Sequence, residues 1–460
     1  MPDLTKLCKW LVIPGLVAFS AGNFLLPAQT AAPTNGVNNN NNGAQDPGVR
    51  GGPPGAGGTL TNLTPQQLTM SAEGLAFFNE IDSVSGTVSG EPGGGLGPGF
   101  NMNSCAGCHA FPAVGGTSPQ INPQIAVANL HGARNLIPSF ITLHGPVREA
   151  RFQQNPDGSA DGGVHDLFVI TGRFDAPPGC SAQQTNFQQQ VQNNNVIFRI
   201  PTPTFGAGLM EAIEDSTILA NKTANSSMKN AFGISGHENR SGNDGTITRF
   251  GWKAQNKSLL IFSGEAYNVE MGVTNEAFPN PRETVSGCDV NGHPEDHSDV
   301  TGNMSDITGF AFFMRTLAPP TPVTSYGNVS QDSIQRGQTF FTQVGCALCH
   351  TPTLSSGPSS ITALSHQTAN LYSDLLVHNM GNQLADGISQ GSAGPDEFRT
   401  APLWGLGQRI FFLHDGRTND LVQAIMAHRS QGSEANNSIQ AFQNLNNSNT
   451  QDLLNFLRSL

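Results

Sequence analysis

The sequence predicts a mainly α protein built from two similar domains in tandem, the first enlarged by loop-rich insertions. Three repeated patterns predict it. C-x-x-C-H occurs twice, at residues 105–109 and 346–350. Gly-x-x-Phe-Phe precedes each copy, at residues 74–78 and 337–341. Phe-x-Arg-x-Leu closes each copy, at residues 313–317 and 456–460. The spacing of these patterns predicts a long first unit followed along the chain by a compact second unit.

The N-terminal residues 1–32 are typical of a signal peptide. Lys6 and Lys9 form a basic start, the stretch 10–21 is mostly apolar, and small residues follow at 28–32. The alternative is an uncleaved membrane anchor, but the apolar run is shorter than the ~20 residues that a span needs. We therefore expect a periplasmic or otherwise exported protein.

Residues 33–58 have low complexity and include NNNNN and GVRGGPPGAGG. Such a stretch has almost no apolar surface to bury, so it predicts a disordered Asn/Gly/Pro-rich linker.

The first domain is predicted over residues 60–320 and the second over residues 330–460. Thr64 and Pro65 are a suitable N-cap and first-turn pair for the helix that opens the first domain. Ser330 is a suitable N-cap for the corresponding helix of the second domain. The prolines at 319–322 end the preceding helix and stiffen the joint between the domains.

The two C-x-x-C-H patterns carry the cofactor prediction. Two thiols at this spacing bond the two vinyl groups on one edge of a porphyrin, and the following histidine lies under the iron. Each half thus runs helix, haem motif, loops and closing helix, which is the order of a cytochrome c-like domain. We expect two covalently bound c-type haems. The attachment residues and proximal iron ligands are Cys105, Cys108, His109, Cys346, Cys349 and His350.

Zinc binding is the alternative role of these cysteines, because paired C-x-x-C motifs also build zinc ribbons. The distance of more than 200 residues between the motifs and the histidine that ends each one favour haem. Apart from Cys8 in the signal, Cys180 and Cys288 remain. In an oxidising compartment we expect them to pair, the alternative being two unpaired thiols.

The composition limits the partners. The formal net charge is −12, which disfavours nucleic acid because phosphate binding needs a basic surface. Only 12% of residues are charged, while the chain has 53 glycines and 30 prolines, which indicates many loops. A small basic electron-donor protein is compatible with this charge.

Further stretches carry a resemblance to a known family. Over residues 60–460 the chain resembles the bacterial di-haem cytochrome c peroxidase superfamily, and more closely its di-haem oxidoreductase branch, also called thiol oxidoreductase-like. In that family the N-terminal haem binds peroxide and the C-terminal haem accepts electrons. The similar stretches are GPVREARF (145–152), FRIPTPTFGAGLMEAIED (198–215), RFGWKAQ (249–255), YNVEMGVTN (267–275), LLVHNMG (375–381), RTAPLWGLG (399–407), FLHDGRT (412–418) and AIMAH (424–428).

The resemblance implies two catalytic residues. Trp252 corresponds to a tryptophan between the haems, although a core tryptophan is the alternative. Glu270, in Glu-Met-Gly, corresponds to a carboxylate that moves a proton from the inner peroxide oxygen, the one at the iron, to the outer oxygen, which leaves as water. The alternatives are a surface glutamate or Met271 as a distal ligand, and Glu211 is a weaker acid/base candidate.

The resemblance also implies a second axial ligand for the C-terminal haem. The family carries Met four residues after an Ala, but here Ala424 is followed by His428, which we expect to bind the iron, with Met380 as the alternative. Bis-His ligation generally gives a lower potential than His/Met. For the first haem, His131 and His144 lie where related peroxidases carry a removable histidine; if neither binds, the iron is open.

The predicted function is a periplasmic di-haem peroxidase that reduces hydrogen peroxide. Its electrons would come from a small cytochrome, a cupredoxin or a quinol-linked chain. The resemblance also allows a calcium ion, although no acidic loop has calcium-site spacing. The alternatives are a non-catalytic di-haem electron-transfer cytochrome and an oxidase that modifies a partner protein.

Overall fold

The computed structural model describes residues 43–299 and 302–460. The predicted signal peptide and residues 33–42 of the predicted linker lie outside the described residues. Within the described ranges, no helix is both long and apolar enough to cross a membrane.

Helices are spread along the whole described chain, and most are short. Three 3-10 turns cover Leu130–Gly132, Thr362–Leu364 and Leu406–Gln408, and a fourth forms at Cys346–Leu348. The α-helices are α1 Pro65–Asn79, α2 Cys105–Cys108, α3 Gln124–Val127, α4 Phe187–Gln192, α5 Ala207–Ala212, α6 Asp215–Thr223, α7 Ser226–Phe232, α8 Leu259–Met271, α9 Asp306–Thr316, α10 Gln331–Gln343, α11 Leu421–Met426, α12 Asn436–Gln443 and α13 Asn447–Ser459.

The strands form small antiparallel sheets. β2 pairs with β3 and β5 in a three-stranded sheet, and β1–β4, β6–β7 and β8–β9 are two-stranded. The strands are β1 Gly99–Phe100, β2 Glu149–Phe152, β3 Val164–His165, β4 Phe168–Val169, β5 Val196–Arg199, β6 Leu354–Ser355, β7 Thr368–Ala369, β8 Val377–Asn379 and β9 Glu397–Arg399.

The prediction of a mainly α fold is wrong. Of the described residues, 31% are helical and 12% are strand. Between each haem motif and its closing helix the chain folds as loops with mostly short helices and short antiparallel strands, because glycine and proline interrupt helices and favour turns. The repeated patterns marked helices correctly but cover only a small part of the chain.

The repeated patterns fold into the same helix pair in both halves. α1 packs on α9, and α10 packs on α13. A Cβ at Gly74 would lie 2.2 Å from the carbonyl oxygen of Gly309, and one at Gly337 would lie 2.0 Å from that of Asp452. The glycine of each Gly-x-x-Phe-Phe is therefore the point where the closing helix crosses most closely. The proposed domain boundaries at 320 and 330 stay a prediction.

The predicted helix starts are confirmed. Thr64 caps α1: its hydroxyl accepts from the Gln67 amide at 3.2 Å, and the Gln67 side chain accepts from the Thr64 amide at 2.9 Å. Ser330 caps α10 by accepting from the Ser333 amide at 3.3 Å. These bonds satisfy amides that have no partner inside the helix.

Two larger apolar cores and two small ones lie within the described residues. The first contains Phe78 and Phe313, and the second contains Phe341 and Phe456. The third joins residues from distant parts of the sequence, among them Ile200, Trp252, Phe398 and Phe411. This third core is where the loops of the first half meet those of the second.

Two contacts lie in segments for which the sequence predicts disorder or a disulfide. In the described part of the predicted linker, residues 43–58 contain no helix or strand, and Asp46 pairs with Arg458 of α13 at 2.6 Å. Cys180 and Cys288 form a disulfide with their Cα atoms 4.6 Å apart. The bridge ties the loop before α4 to the loop that precedes α9.

Candidate functional site

The first C-x-x-C-H motif is one helical turn whose histidine is held by the main chain. The amide of His109 donates to the Cys105 carbonyl at 3.0 Å. Its Nδ1 lies 3.0 Å from the Gly116 carbonyl oxygen, which can only accept, so Nδ1 carries the proton. Nε2 is then the nitrogen available to a metal. Phe78, the last residue of Gly-x-x-Phe-Phe, packs 6.0 Å from the imidazole.

The second motif repeats this arrangement. The amide of His350 donates to the Cys346 carbonyl at 2.9 Å, and Nδ1 lies 3.0 Å from the Tyr372 carbonyl oxygen. Phe341 packs 6.4 Å from the imidazole, as Phe78 does in the first motif. Both proximal histidines therefore have the orientation and tautomer of an iron ligand.

Each motif opens into a large, mainly apolar cavity. The first is lined by Cys105, Cys108 and His109, and the second by the corresponding residues of the second motif. The mainly apolar lining of both suits a porphyrin ring.

The position of the motif residues also favours haem over zinc. Burial lowers the pKa of His109, and that of His350 to about 4, which keeps both imidazoles neutral and able to bind iron. Burial raises the pKa of the Cys346 thiol to about 12, and raises those of the other three motif thiols. The four thiols also line two different cavities, so they do not converge on one ion.

Two buried arginines of the second cavity fit haem propionates. Arg399 and Arg409 are both buried, and burial lowers the pKa of each to about 10. Arg399 donates to the carbonyls of Gly251 and Thr400, and among the described residues neither guanidinium forms an ion pair with a carboxylate. A buried cation without a counter-ion is costly, so an anionic group is expected at this wall.

The sheet of β2 and β5 lines the first cavity with charge. Glu149 lies opposite Arg199 in the antiparallel register, and Arg151 is two residues further along the same face. All three line the cavity, and Arg151 Nε donates to Glu149 at 2.6 Å. GPVREARF and FRIPTP are thus neighbouring strands, and their pairing brings Glu149 into the site. Both stretches resemble the family, but nothing in the sequence alone marks Glu149 as a site residue.

Glu270 meets Glu149 in the first cavity. It lies in the last turn of α8, and both carboxyl groups line the cavity. Burial, and next the charge of Glu149, raise the pKa of Glu270 well above its usual value. Burial opposes ionisation of Glu149 too, but Arg151 and Arg199 outweigh it and lower its pKa. A proton on the pair therefore favours Glu270 over Glu149.

Trp252 lines both haem cavities. It is 9% exposed, and its Nε1 donates to the Ile200 carbonyl at 2.9 Å. An antiparallel β-bridge between residues 250 and 256 closes its loop. An equivalent bridge between residues 412 and 418 closes the loop of His414. Trp252 and His414 are thus equivalent positions of the repeat, and their rings lie 6.4 Å apart.

Both candidate ligands for the second iron line the second cavity. The Nδ1 of His428 lies 2.8 Å from the Ala424 carbonyl oxygen, so its Nε2 is available, as in the proximal histidines. Burial lowers the pKa of His350 most, and the charge of His428 lowers it next, so the two imidazoles lie near each other. Met380 packs in the third core beside Trp252 and Phe398.

A buried histidine beside the second motif was missed by the sequence analysis. His378 lies 2.9 Å from Asp374, 2.8 Å from Glu434 and 3.7 Å from the sulfur of Cys349. Atoms of Cys349, Asp374 and His378 all lie within 4.8 Å of one another, the geometry of a small metal site. The sulfur is committed to a porphyrin if the haem motif is used, so we assign this group to the wall of the second cavity. Its only sequence signal was the stretch LLVHNMG.

Three other candidates lie away from the first cavity. Glu211 pairs with Arg315 at 2.6 Å, and His131 pairs with Glu91 at 2.6 Å. His144 is exposed. None of the three lines the cavity, in which His109 is the only histidine among the described residues.

The chain was compared with known proteins. A solved hydrazine synthase of Kuenenia stuttgartiensis, pressurised with 20 bar xenon, is 13% identical, with 95% of this chain and 100% of that chain covered and a TM-score of 0.33. That similarity is too low to indicate a common fold. No curated protein matches the sequence.

A family match agrees with the geometry. The profile described as "Di-haem oxidoreductase, putative peroxidase" matches residues 149–460. The match begins at β2 and contains Trp252, Glu270 and the second haem motif, whereas the first haem motif precedes it. The resemblance inferred from the sequence is confirmed. The chain belongs to the di-haem oxidoreductase family.

Proposed function

We propose that this chain is an exported c-type cytochrome that reduces hydrogen peroxide at the first haem, with electrons delivered through the second. One observation carries the proposal: the two cavities share a scaffold but differ in what faces the metal position. The first combines one histidine with the Glu149–Glu270 carboxyl pair, and the second combines His350 with His428. An open, proton-supplied site and a closed, electron-accepting site are the two parts that a peroxidase needs.

Covalent attachment is part of the proposal. Both thiols of each motif line the same cavity as the histidine that follows them, which is the arrangement that thioether bonds to one porphyrin edge require. Arg399 and Arg409 would hold the propionates of the second haem. When bound, the haems supply the redox chemistry, namely peroxide binding at iron and electron transfer between the two sites.

The protein's own residues would handle the protons. Reduction of one peroxide takes two electrons and two protons and gives two waters. Glu270, protonated and buried, can donate to the outer peroxide oxygen, and the ionised Glu149 can receive the proton of the inner oxygen through it. Arg151 and Arg199 keep Glu149 charged, so the pair returns to its one-proton state after each turnover.

Trp252 would link the two sites. It lines both cavities, and its indole N–H is fixed by the Ile200 carbonyl, so the ring cannot swing away without losing a buried hydrogen bond. His414 and Phe398, stacked at 4.2 Å, continue the aromatic contact into the second cavity. We further propose a small cytochrome, a cupredoxin or a quinol-linked chain as the electron source. A calcium ion stays a prediction of the resemblance.

The test is a spectroscopic titration of the purified holoprotein with hydrogen peroxide. The proposal predicts two haems, of which one is high-spin and changes its spectrum with peroxide, together with peroxide consumption when a reduced donor is supplied. Two low-spin haems that do not respond to peroxide would instead identify an electron-transfer cytochrome. A colourless protein after maturation in a competent host would remove both functions.

A further inference from the structure

Tyr267 is a buried phenol at the edge of the first haem cavity. It lies on α8, one turn before Glu270, and is 3% exposed. Its ring lines the cavity and packs edge-on against Phe310, with ring centroids 5.2 Å apart. The side chain is therefore held in place from both sides, close to where the haem would bind, and the proposed acid/base chemistry does not use it.

The phenol has two carboxyl groups as hydrogen-bond partners. Its hydroxyl lies 2.9 Å from Asp82 Oδ2 and 3.1 Å from Asp306 Oδ2. Asp82 is buried after α1, and Asp306 is half-buried at the start of α9. Burial raises the pKa of Asp306 to about 6 and that of Asp82 well above its usual value. Both carboxylates thus bind a proton more readily than a solvated aspartate does.

The same carboxyl pair lies near the porphyrin edge. Burial, and after it the charges of Asp82 and Asp306, raise the pKa of the Cys105 thiol. Both carboxyl groups are therefore within electrostatic reach of a sulfur that would bond the first haem. A phenol that loses an electron becomes a strong acid, so it is readily oxidised only where a base can take its proton. Tyr267 combines such a base with a position beside the cofactor.

We propose that Tyr267 is a redox-active residue that gives one electron to an oxidant in the first cavity and its phenolic proton to the Asp82–Asp306 carboxyl pair. The inference rests on the proposed function, because hydrogen peroxide is the oxidant. Peroxide takes two electrons and two protons to form two waters; Tyr267 supplies one electron and the donor protein the other. An electron from the donor later reduces the phenoxyl radical, which takes its proton back from the carboxyl pair.

The chain offers matched controls for this assignment. It has three tyrosines. The hydroxyl of Tyr326 donates to the Asn455 main-chain carbonyl at 3.0 Å, and an amide oxygen is too weak a base to accept the phenolic proton. Tyr372 lies next to the second site, where its carbonyl faces His350. From these hydrogen bonds we expect that, of the three tyrosines, only Tyr267 forms a radical.

The experiment is freeze-quench electron paramagnetic resonance of the holoprotein mixed with hydrogen peroxide, with peroxide consumption measured in parallel. The wild-type protein, Tyr267→Phe, Tyr326→Phe and Tyr372→Phe are compared after their haem contents are matched. A tyrosyl signal is expected that is lost only in Tyr267→Phe and that narrows when the protein contains ring-deuterated tyrosine. In Asp306→Asn, which keeps the phenol but replaces one acceptor, the signal should be weaker and its hydrogen-bond-sensitive g value should shift.

The outcomes separate the two proposals. Peroxide consumption without a tyrosyl signal, or with a signal that survives Tyr267→Phe, would overturn the role of Tyr267 and leave the peroxidase function intact. If no peroxide is consumed, the peroxidase function fails. The oxidant in the experiment is then a ruthenium(III) complex generated with light, in place of peroxide. In that arm, loss of the signal in Tyr267→Phe alone supports a redox-active Tyr267, and any other pattern, or no signal, overturns it.

Discussion

The first and second haem cavities are built on the same scaffold and lined by different chemistry. In both, a helix with Gly-x-x-Phe-Phe crosses a closing helix at a glycine, and the last phenylalanine packs beside the motif histidine. Beyond that shared part, the first cavity gains Glu149 and Glu270 from a strand and a helix of the insertions, and the second gains His428 from α11 and its loop. In the proposed function, the repeat would hold the cofactors, and the segments outside it would set what each cofactor does.

The strongest test of this comparison removes one attachment site at a time. In Cys105→Ala/Cys108→Ala and in Cys346→Ala/Cys349→Ala, we expect one covalent haem instead of two, because each thiol pair serves its own cavity. Donor-dependent peroxide turnover should be abolished in both, but the spectral response to peroxide should survive only in the second variant. Mass spectrometry and haem quantification check the count. A variant that keeps two haems would contradict separate sites.

The next largest effect concerns the carboxyl pair of the first cavity. Glu270→Gln removes the proton donor but keeps the side-chain shape, so peroxide turnover should fall by about 100-fold or more, the usual size of an acid/base contribution. The haem content and the spectrum of the second haem should stay unchanged. Glu73→Gln on the exposed side of α1 is the control. Equal turnover in the two variants would remove Glu270 from the mechanism.

The link between the cavities gives a smaller expected effect. Trp252→Phe shortens the ring that lines both sites and removes its bond to Ile200, so we expect electron transfer between the haems to slow by about tenfold, or ~1.4 kcal/mol in activation free energy. Stopped-flow reduction of the first haem through the second measures it. Trp404→Phe is the control, because Trp404 is equally buried but lines neither haem cavity. If both variants slow the transfer alike, packing rather than position explains the effect.

The sequence predicted the repeated parts better than the inserted ones. Thr64, Ser330 and the two motif histidines could be placed because caps and haem attachment depend on residues a few positions apart. Glu149 could not, since its role depends on β2 pairing with β5 and on α8 bringing Glu270 to the same cavity, contacts between residues that are far apart in the chain. The same limit explains the wrong helix content, because the insertions have no local repeat that fixes their structure.

The ligands of the second iron allow a test that should leave turnover largely intact. His428→Met should keep a six-coordinate haem and raise its reduction potential, because methionine as the axial ligand favours ferrous iron. Met380→Leu should leave the spectrum and the potential unchanged if His428 is the ligand. Potentiometric titration followed by absorption spectroscopy distinguishes the two haems. A spectral change in Met380→Leu, with none in His428→Met, would reverse the assignment.

The pH profile gives the smallest change and the sharpest contrast with the second cavity, where the nearby Asp374 and Glu434 pair with His378 rather than with each other. Turnover requires protonated Glu270, so it should be lost on the alkaline side as that group ionises. Burial, and next the charge of Glu149, raise the pKa of Glu270. Glu149→Gln removes that charge, so the pKa of Glu270 should fall and the alkaline limb should move to lower pH. The limb should not move in Glu73→Gln, and a limb that stays in place or moves to higher pH in Glu149→Gln would show that the two carboxyl groups do not share a proton.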